Sequence, residues 1–495
     1  MGIQKKNVIA TITQVLVFAI CQFLLYKLII VQLGIEKLGL WSVITSFTMT
    51  ASIGNFGASG SSIVMFVAKY LAEGNIEKVK KIISTSLIFV TLSVSATLLI
   101  LFPIAKFTLY KMLSPEYFEY ASSRLLYLSF LYFIFYSISF LLWSVIDGYQ
   151  LYVKRVVFNA CAQVLNLALS AILMKYYDLQ GLFWALILQH LLLTIAGFII
   201  TYRLLPFRLT FCRESFREIF RYGIKLQGIS LLSTFSEPLI KFLLTSISGL
   251  AITGYYEMAN KITNQIRSPL MVGLQTLIPA IAESKEDREE RIANYFSKST
   301  KQIFDLSLMT TGLFIIVLPL VSRYWVGSLN ENFMWMAVSL SIGYLLNTIV
   351  SPVNYINLGT GYLNGNLIQQ LIQTFCIIVF TVFFGYFVHS VEGMSVSLGL
   401  SIAIASVWML YDFGRRYHID FRGIELLKLR KWVSLPFAMA STAVLLTFFQ
   451  VDVSLQFLAV TTLLVSVFVL LFFLNTLQSL VFQIFPLTTI KNNNS

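Results

Sequence analysis

The chain has 495 residues, of which 57% are hydrophobic, 15% aromatic and only 12% charged. That is too little polar side chain to cover a soluble core, so a soluble globule is excluded and a polytopic membrane protein is expected. The net charge of +13 then means first a basic face on an anionic leaflet, with no nucleic-acid partner.

The first apolar run follows Lys5 and Lys6 and carries no small-residue cleavage site, so it reads as a retained span and not a removable signal peptide. Lys6 stands where N-myristoylation expects Ser or Thr. In all, fourteen apolar segments are long enough to cross a bilayer at about 1.5 Å per residue. They lie near 8–33, 41–68, 82–108, 124–147, 156–175, 181–202, 223–248, 254–282, 302–322, 333–357, 366–388, 394–412, 432–450 and 455–478. The runs are continuous and do not alternate with period two, which predicts helices and not a barrel.

With a cytoplasmic N-terminus, the inside loops and tails hold about 26 of the 36 Lys and Arg. The positive-inside rule therefore places both termini in the cytoplasm. Between spans six and seven, Arg213, Arg217 and Arg221 recur every four residues while Phe216, Ile219 and Phe220 take other faces, which predicts a short basic amphipathic helix at the interface. The stretch Arg415 to Lys431 reads similarly. Cys21, Cys161, Cys212 and Cys376 are scattered with no paired spacing, so neither a disulfide framework nor a metal site is expected.

The chain repeats itself. Gln14 and Gln227 lie 213 residues apart, Lys27 and Lys241 214, Gly39 and Gly254 215, and Gly148-Tyr149 and Gly361-Tyr362 213. Six spans separate each pair, so the halves share an orientation and a substrate site is expected between them. The resulting organisation is a six-helix bundle over 1–205, a cytoplasmic interfacial linker helix over 206–222, a second bundle over 223–414, and a basic loop, two further helices and a tail over 415–495.

Several stretches carry a family resemblance: Leu33-Gly34-Ile35-Glu36-Lys37-Leu38-Gly39-Leu40-Trp41, Gly54-Asn55-Phe56-Gly57-Ala58-Ser59-Gly60, Ala68-Lys69-Tyr70-Leu71-Ala72-Glu73-Gly74-Asn75 and Asp147-Gly148-Tyr149-Gln150. The chain resembles the polysaccharide transporter family, which includes the O-antigen (Wzx-type) flippases of the multidrug/oligosaccharidyl-lipid/polysaccharide exporter superfamily. The likeness covers the whole chain, including the span count and the two halves. It implies a flippase of the bacterial inner membrane. Such a protein moves an undecaprenyl-pyrophosphate-linked oligosaccharide through a cationic cavity, with a polysaccharide polymerase and chain-length proteins as possible partners.

The residues fit that chemistry, because a pyrophosphate needs positive charge and a sugar needs amide and hydroxyl partners. Arg267, Lys27, Lys241 and Lys261 are the candidate cavity bases, and Gln14, Gln22, Asn55, Gln227 and Asn264 the candidate polar lining. Glu237 precedes Lys241 by four residues and Glu257 precedes Lys261 by four, so both lysines also read as intrahelical ion pairs. Lys27 lies about 9 Å from the outer end of its span, near enough to snorkel, whereas Arg267 lies about 20 Å in.

No G-x-x-x-x-G-K-[ST] stretch is present, and no cofactor is expected. Proton or sodium coupling would need a membrane carboxylate, and Glu237 is the most interior candidate. His190 reads as a hydrogen-bonded interior residue before a proton relay. Three rivals stay open: a flippase for the peptidoglycan lipid precursor, a multidrug or cation antiporter of the same superfamily, and a membrane-embedded enzyme. The intramembrane bases disfavour the antiporter, and the longest outside loop, about 15 residues near Leu109 to Ser123, disfavours the enzyme.

Overall fold

A computed structural model describes residues 3–52, 60–275, 277, 281 and 288–417; the side chains of 3–12, 61, 222–233, 272 and 288–290 lie outside that description. Spans thirteen and fourteen, and most of the basic stretch Arg415 to Lys431, fall outside the described residues. No strand occurs among them, and ten helices are long and apolar enough to cross a membrane. The protein is an all-α polytopic membrane protein. The physical reason is that lipid offers backbone N–H and C=O groups no partner, so each segment must satisfy its own.

In chain order the helices are α1 (Ile3–Leu33), α2 (Ile35–Thr50), α3 (Gly60–Ala72), α4 (Ile76–Met112), α5 (Pro115–Gly148), α6 (Tyr152–Tyr177), α7 (Leu179–Leu204), α8 (Arg213–Leu274), α9 (Arg288–Val326), α10 (Glu331–Thr360), α11 (Leu363–Phe387) and α12 (Val391–Tyr417). The expected span over 41–68 is found as α2 and α3, and the spans over 223–248 and 254–282 as two limbs of α8. Large apolar side chains stand exposed on the outer faces, among them Leu99, Phe107, Phe375 and Phe387. Such a surface suits lipid and not water.

The chain divides into two compact units. One takes everything up to Ala259 together with Thr374–Ser397; the other takes Asn260–Gln373 and the chain from Leu398. In the first, Phe133, Leu141 and Val145 of α5 pack on Val67 of α3 and Ile82 of α4. In the second, Ile292 and Phe296 of α9, Val353 and Ile356 of α10, and Met409 and Phe413 of α12 form a core.

The linker expected as a helix over 206–222 is found differently. The chain is non-helical from Leu205 to Cys212, and α8 starts at Arg213. Ser84 of α4 donates to the carbonyls of Arg208 and Thr210, and Thr85 accepts from the Cys212 N–H at 3.0 Å, so this strap lies along α4. The apolar residues of the basic motif face protein: Ile219 is buried in the core with Ile82, and Phe216 and Phe220 pack on Phe89. Arg213, Arg217 and Arg221 stay exposed.

Two glycines set the path of the chain in the first unit. Gly34 between α1 and α2 has φ 88° and ψ 168°, and Gly249 inside α8 has φ 86° and ψ 176°. Only glycine adopts this region without strain. Their separation is 215 residues, the same as for Gly39 and Gly254. At Gly249 the chain reverses. Thr245 and Thr253 share a hydrogen bond at 2.8 Å, and Lys241 meets Glu257 at 2.9 Å. In a straight helix these pairs would stand about 12 and 24 Å apart.

The two hairpins then cross where neither has a side chain. A Cβ on Gly39 would stand 2.1 Å from the carbonyl oxygen of Leu250, and one on Gly254 would stand 2.6 Å from that of Ile35. Leu250 precedes Gly254 by four and Ile35 precedes Gly39 by four, so the contact is reciprocal, as at a two-fold axis.

Gly249→Ala is expected to lower stability by about 1–3 kcal/mol through backbone strain, since its Cβ would meet nothing within 4 Å. The helical control Gly273→Ala, equally uncrowded, should be neutral or stabilising; thermal unfolding in detergent separates the two. The Cys212 thiol is held below its ordinary value of 9.0, first by the Ser215 backbone N–H and last by nearby Lys81. In a chain retaining only that cysteine, the maleimide reaction should reach half its limiting rate below pH 9, and a midpoint at or above 9 would contradict it.

Candidate functional site

The reciprocal crossing brings four side-chain positions together in the first unit. Counted from the two break glycines, Tyr26 and Lys241 lie eight residues before, and Ser42 and Glu257 eight residues after. Lys241, 2% exposed, donates to the Ser42 carbonyl at 3.1 Å and pairs with Glu257 at 2.9 Å and with Glu237 at 3.0 Å. The Tyr26 hydroxyl donates to the other oxygen of Glu257 at 2.7 Å, and its ring meets Trp41 edge-on at 5.8 Å. This register also corrects one sequence match. It sets Tyr26, and not Lys27, opposite Lys241.

The electrostatics follow from the count. One ammonium faces two carboxylates, so Lys241 offers no net positive charge where a cavity base was expected. Burying an ammonium is costly, and oxygens on three sides make it tolerable. Glu257 is enclosed at 4%, whereas Glu237 keeps about half its side chain exposed. Close by in sequence, Gln22 Oε1, Trp41 Nε1 and Ser42 Oγ are buried with no hydrogen-bond partner among the described residues. Gln22 lies one helical turn before Tyr26, on the same face of α1. Buried polar atoms of this kind call for a water or a ligand group.

In the second unit, Arg267 of α8 has a different surrounding. Its Nη2 donates to Asn347 Oδ1 at 2.8 Å, and the guanidinium stands 4.5 Å from the ring centre of Tyr344. Asn347 donates to Ser406 at 3.2 Å, the Tyr344 hydroxyl donates to Asn260 at 3.0 Å, and Asn264 donates to Asn260 Oδ1 at 2.7 Å. A cavity of about 20 Å³ lies beside Arg267, lined by Thr263, Ser307, Thr310 and Thr348 together with apolar Ile266, Leu270 and Phe314. That is room for one water. Among the described residues no carboxylate pairs with Arg267, so its charge is met by neutral dipoles and a π-face.

Of the other expected residues, Asn264 joins the Arg267 network through Asn260 and Tyr344 and Gln22 shares the Tyr26 face of α1, while the rest are dispersed. Gln14, Gln22, Lys27 and Asn264 are half-buried, and Lys261 is exposed. Asn55 and the side chain of Gln227 lie outside the described residues. His190 meets Ser139 at 3.1 Å between the rings of Tyr132 and Tyr136, an interior position. The sequence reading missed Tyr26, Tyr344 and Asn347. The signal for the last two was present in α10, where Ser341, Tyr344, Asn347, Thr348 and Ser351 form a polar stripe at helical spacing in an apolar span.

A family described as "Polysaccharide biosynthesis protein" matches residues 4–285. Among solved structures, the lipid II flippase MurJ in an inward closed conformation superposes with a TM-score of 0.70 at 14% identity, covering 96% of this chain and 98% of its own. An inward-facing multidrug resistance MATE transporter of the MOP superfamily gives 0.63 at 15%, with 80% and 93% covered. A MOP superfamily transporter from Pyrococcus furiosus gives 0.60 at 16%, with 84% and 96% covered. A search of curated proteins finds no match. The fold is that of MOP-superfamily transporters and flippases.

Glu257→Gln is expected to destabilise by about 2–4 kcal/mol, because it removes one charge of a buried pair, and Glu237→Gln by under about 1 kcal/mol, because the Glu237 carboxylate is itself half in solvent and Lys241 keeps Glu257. Melting temperatures of the two purified variants test the order. Equal shifts would refute the assignment of the buried partner.

Proposed function

This chain belongs to the polysaccharide biosynthesis protein family, and we propose that it flips an undecaprenyl-pyrophosphate-linked oligosaccharide, the repeat unit of an O-antigen, capsule or exopolysaccharide. The movement runs from the cytoplasmic to the outer leaflet of the bacterial inner membrane, by alternating access of the bundles over 1–205 and 223–414. Family and fold make the chain a membrane transporter and not an enzyme.

Arg267 carries the proposal. Among the described residues this half-buried guanidinium is answered by neutral groups, so it retains the charge and the planar fork with which arginine receives a phosphate. Lys241 contributes less than the sequence suggested, being offset by two carboxylates. Lys27 is the second base, with Lys261 at an exposed position. Gln14, Gln22 and Asn264, with Asn55 and Gln227, supply amide partners for sugar hydroxyls; the unmatched Gln22 Oε1 supports this. Glu237 is the candidate for proton or sodium coupling, because it is half-exposed while already holding an ammonium.

A flippase for the peptidoglycan lipid precursor is the second reading, favoured by the likeness to MurJ over nearly all of both chains. Both substrates present a pyrophosphate, so Arg267 serves either. The cell distinguishes them: loss of this protein should remove surface polysaccharide under the first reading and cause lysis under the second.

Arg267→Gln should cut surface polysaccharide at least about tenfold, the size expected for losing a charged hydrogen bond. Arg267→Lys should lose less. Protein abundance in the membrane should be unchanged. Wild-type polysaccharide in both Arg267→Gln and Lys27→Gln would overturn the cationic path.

A further inference from the structure

An apolar groove of about 550 Å³ runs between α4, α5 and α7 in the first unit, within the size range of ligand clefts. Its walls include Ile88 and Leu92 of α4, Leu142 of α5, and Ile195 and Ile199 of α7, and the strap residue Leu209 contributes to one end. Leu92, Ile195, Ile199 and Leu209 are exposed, so the groove opens sideways onto the surface that faces lipid.

What distinguishes this groove from other lipid-facing relief is the chemistry at the strap end. Along α4, Lys81 lies seven residues before Ile88, on the same helical stripe. Along α7, Arg203 lies four residues after Ile199, again on the same stripe. The strap that binds Ser84 and Thr85 carries Arg208 beside the lining residue Leu209, and Arg213 follows at the start of α8. All four cations are exposed. Two acids of that end are engaged: Glu77 pairs with Lys80 at 2.6 Å, and Glu218 pairs with Lys78 at 3.7 Å and accepts from Tyr70, while Glu73 just before α4 is exposed. Glu214 stands exposed on the first turn of α8. Two groove walls and the strap thus each end in a cation.

We infer that the groove binds one acyl chain of an anionic membrane phospholipid whose phosphate is held by Lys81, Arg203 and Arg208. The apolar length takes the chain, the cations take the headgroup, and the occupant is a resident lipid separate from the transported one. Its role is to pin the strap to α4 and α7.

The test is lipid retention by the full-length protein, read by native mass spectrometry after exchange with dioleoyl-phosphatidylglycerol or dioleoyl-phosphatidylcholine, which share their chains. Phosphatidylglycerol should be retained several-fold more. Arg203→Gln with Arg208→Gln should lower its retention by about fivefold per cation, leaving phosphatidylcholine unchanged. Leu92→Trp, at an exposed wall position, should reduce both. Equal retention of the two lipids, or no response to either variant, would overturn the assignment. So would displacement of phosphatidylglycerol by undecaprenyl phosphate at lower concentration than phosphatidylglycerol itself requires, since the groove would then belong to a transported lipid.

Discussion

A charge among apolar helices must be answered by nearby dipoles or opposite charge, and this constraint explains why the molecule treats Lys241 and Arg267 so differently. Lys241 is enclosed and sits between three oxygens, two of them carboxylate. Arg267 is half-buried and touches an amide, a ring and a small cavity of mixed lining. The first arrangement ties two hairpins together and has no charge to spare. The second leaves a cation in place without consuming it, and that difference separates a structural base from one suited to a moving anion.

The architecture was legible because hydropathy is written residue by residue. The apolar runs, the division of α8 near residue 250 and the glycine repeat could all be read from the chain. The i,i+4 pairing of Glu237 with Lys241 was legible for the same local reason. Glu257 was not, because it meets Lys241 only after the backbone has reversed at Gly249, and a helix-by-helix reading has no term for that reversal. The basic motif after span six shows the opposite failure. Its periodicity was read correctly, but an amphipathic face is silent about what covers it, and Phe216, Ile219 and Phe220 found α4.

Register was the subtler matter. Matching identical residues aligned Lys27 with Lys241, whereas backbone conformation aligns Gly34 with Gly249 and therefore Tyr26 with Lys241. The second alignment is better founded, because a φ near 88° with ψ near 170° is a demand that sequence can meet almost only with glycine. A lysine can recur within one residue of its counterpart for many reasons. Under the conformational register, Tyr26 bonds Glu257 and Lys241 bonds Ser42, a reciprocal exchange like that of Gly39 and Gly254.

That reciprocity bears on how such a centre can change over time. In a dimer of two identical halves, one codon writes both sides of a two-fold contact, so an acid introduced opposite a lysine would appear twice and each lysine would be duplicated with it. A single fused chain is free of that rule. Here position 42 keeps a serine while position 257 carries a carboxylate, and position 26 keeps a phenol while 241 carries an amine. Fusion lets a symmetric scaffold hold an asymmetric charge pair, so that the two sides of one centre carry different chemistry.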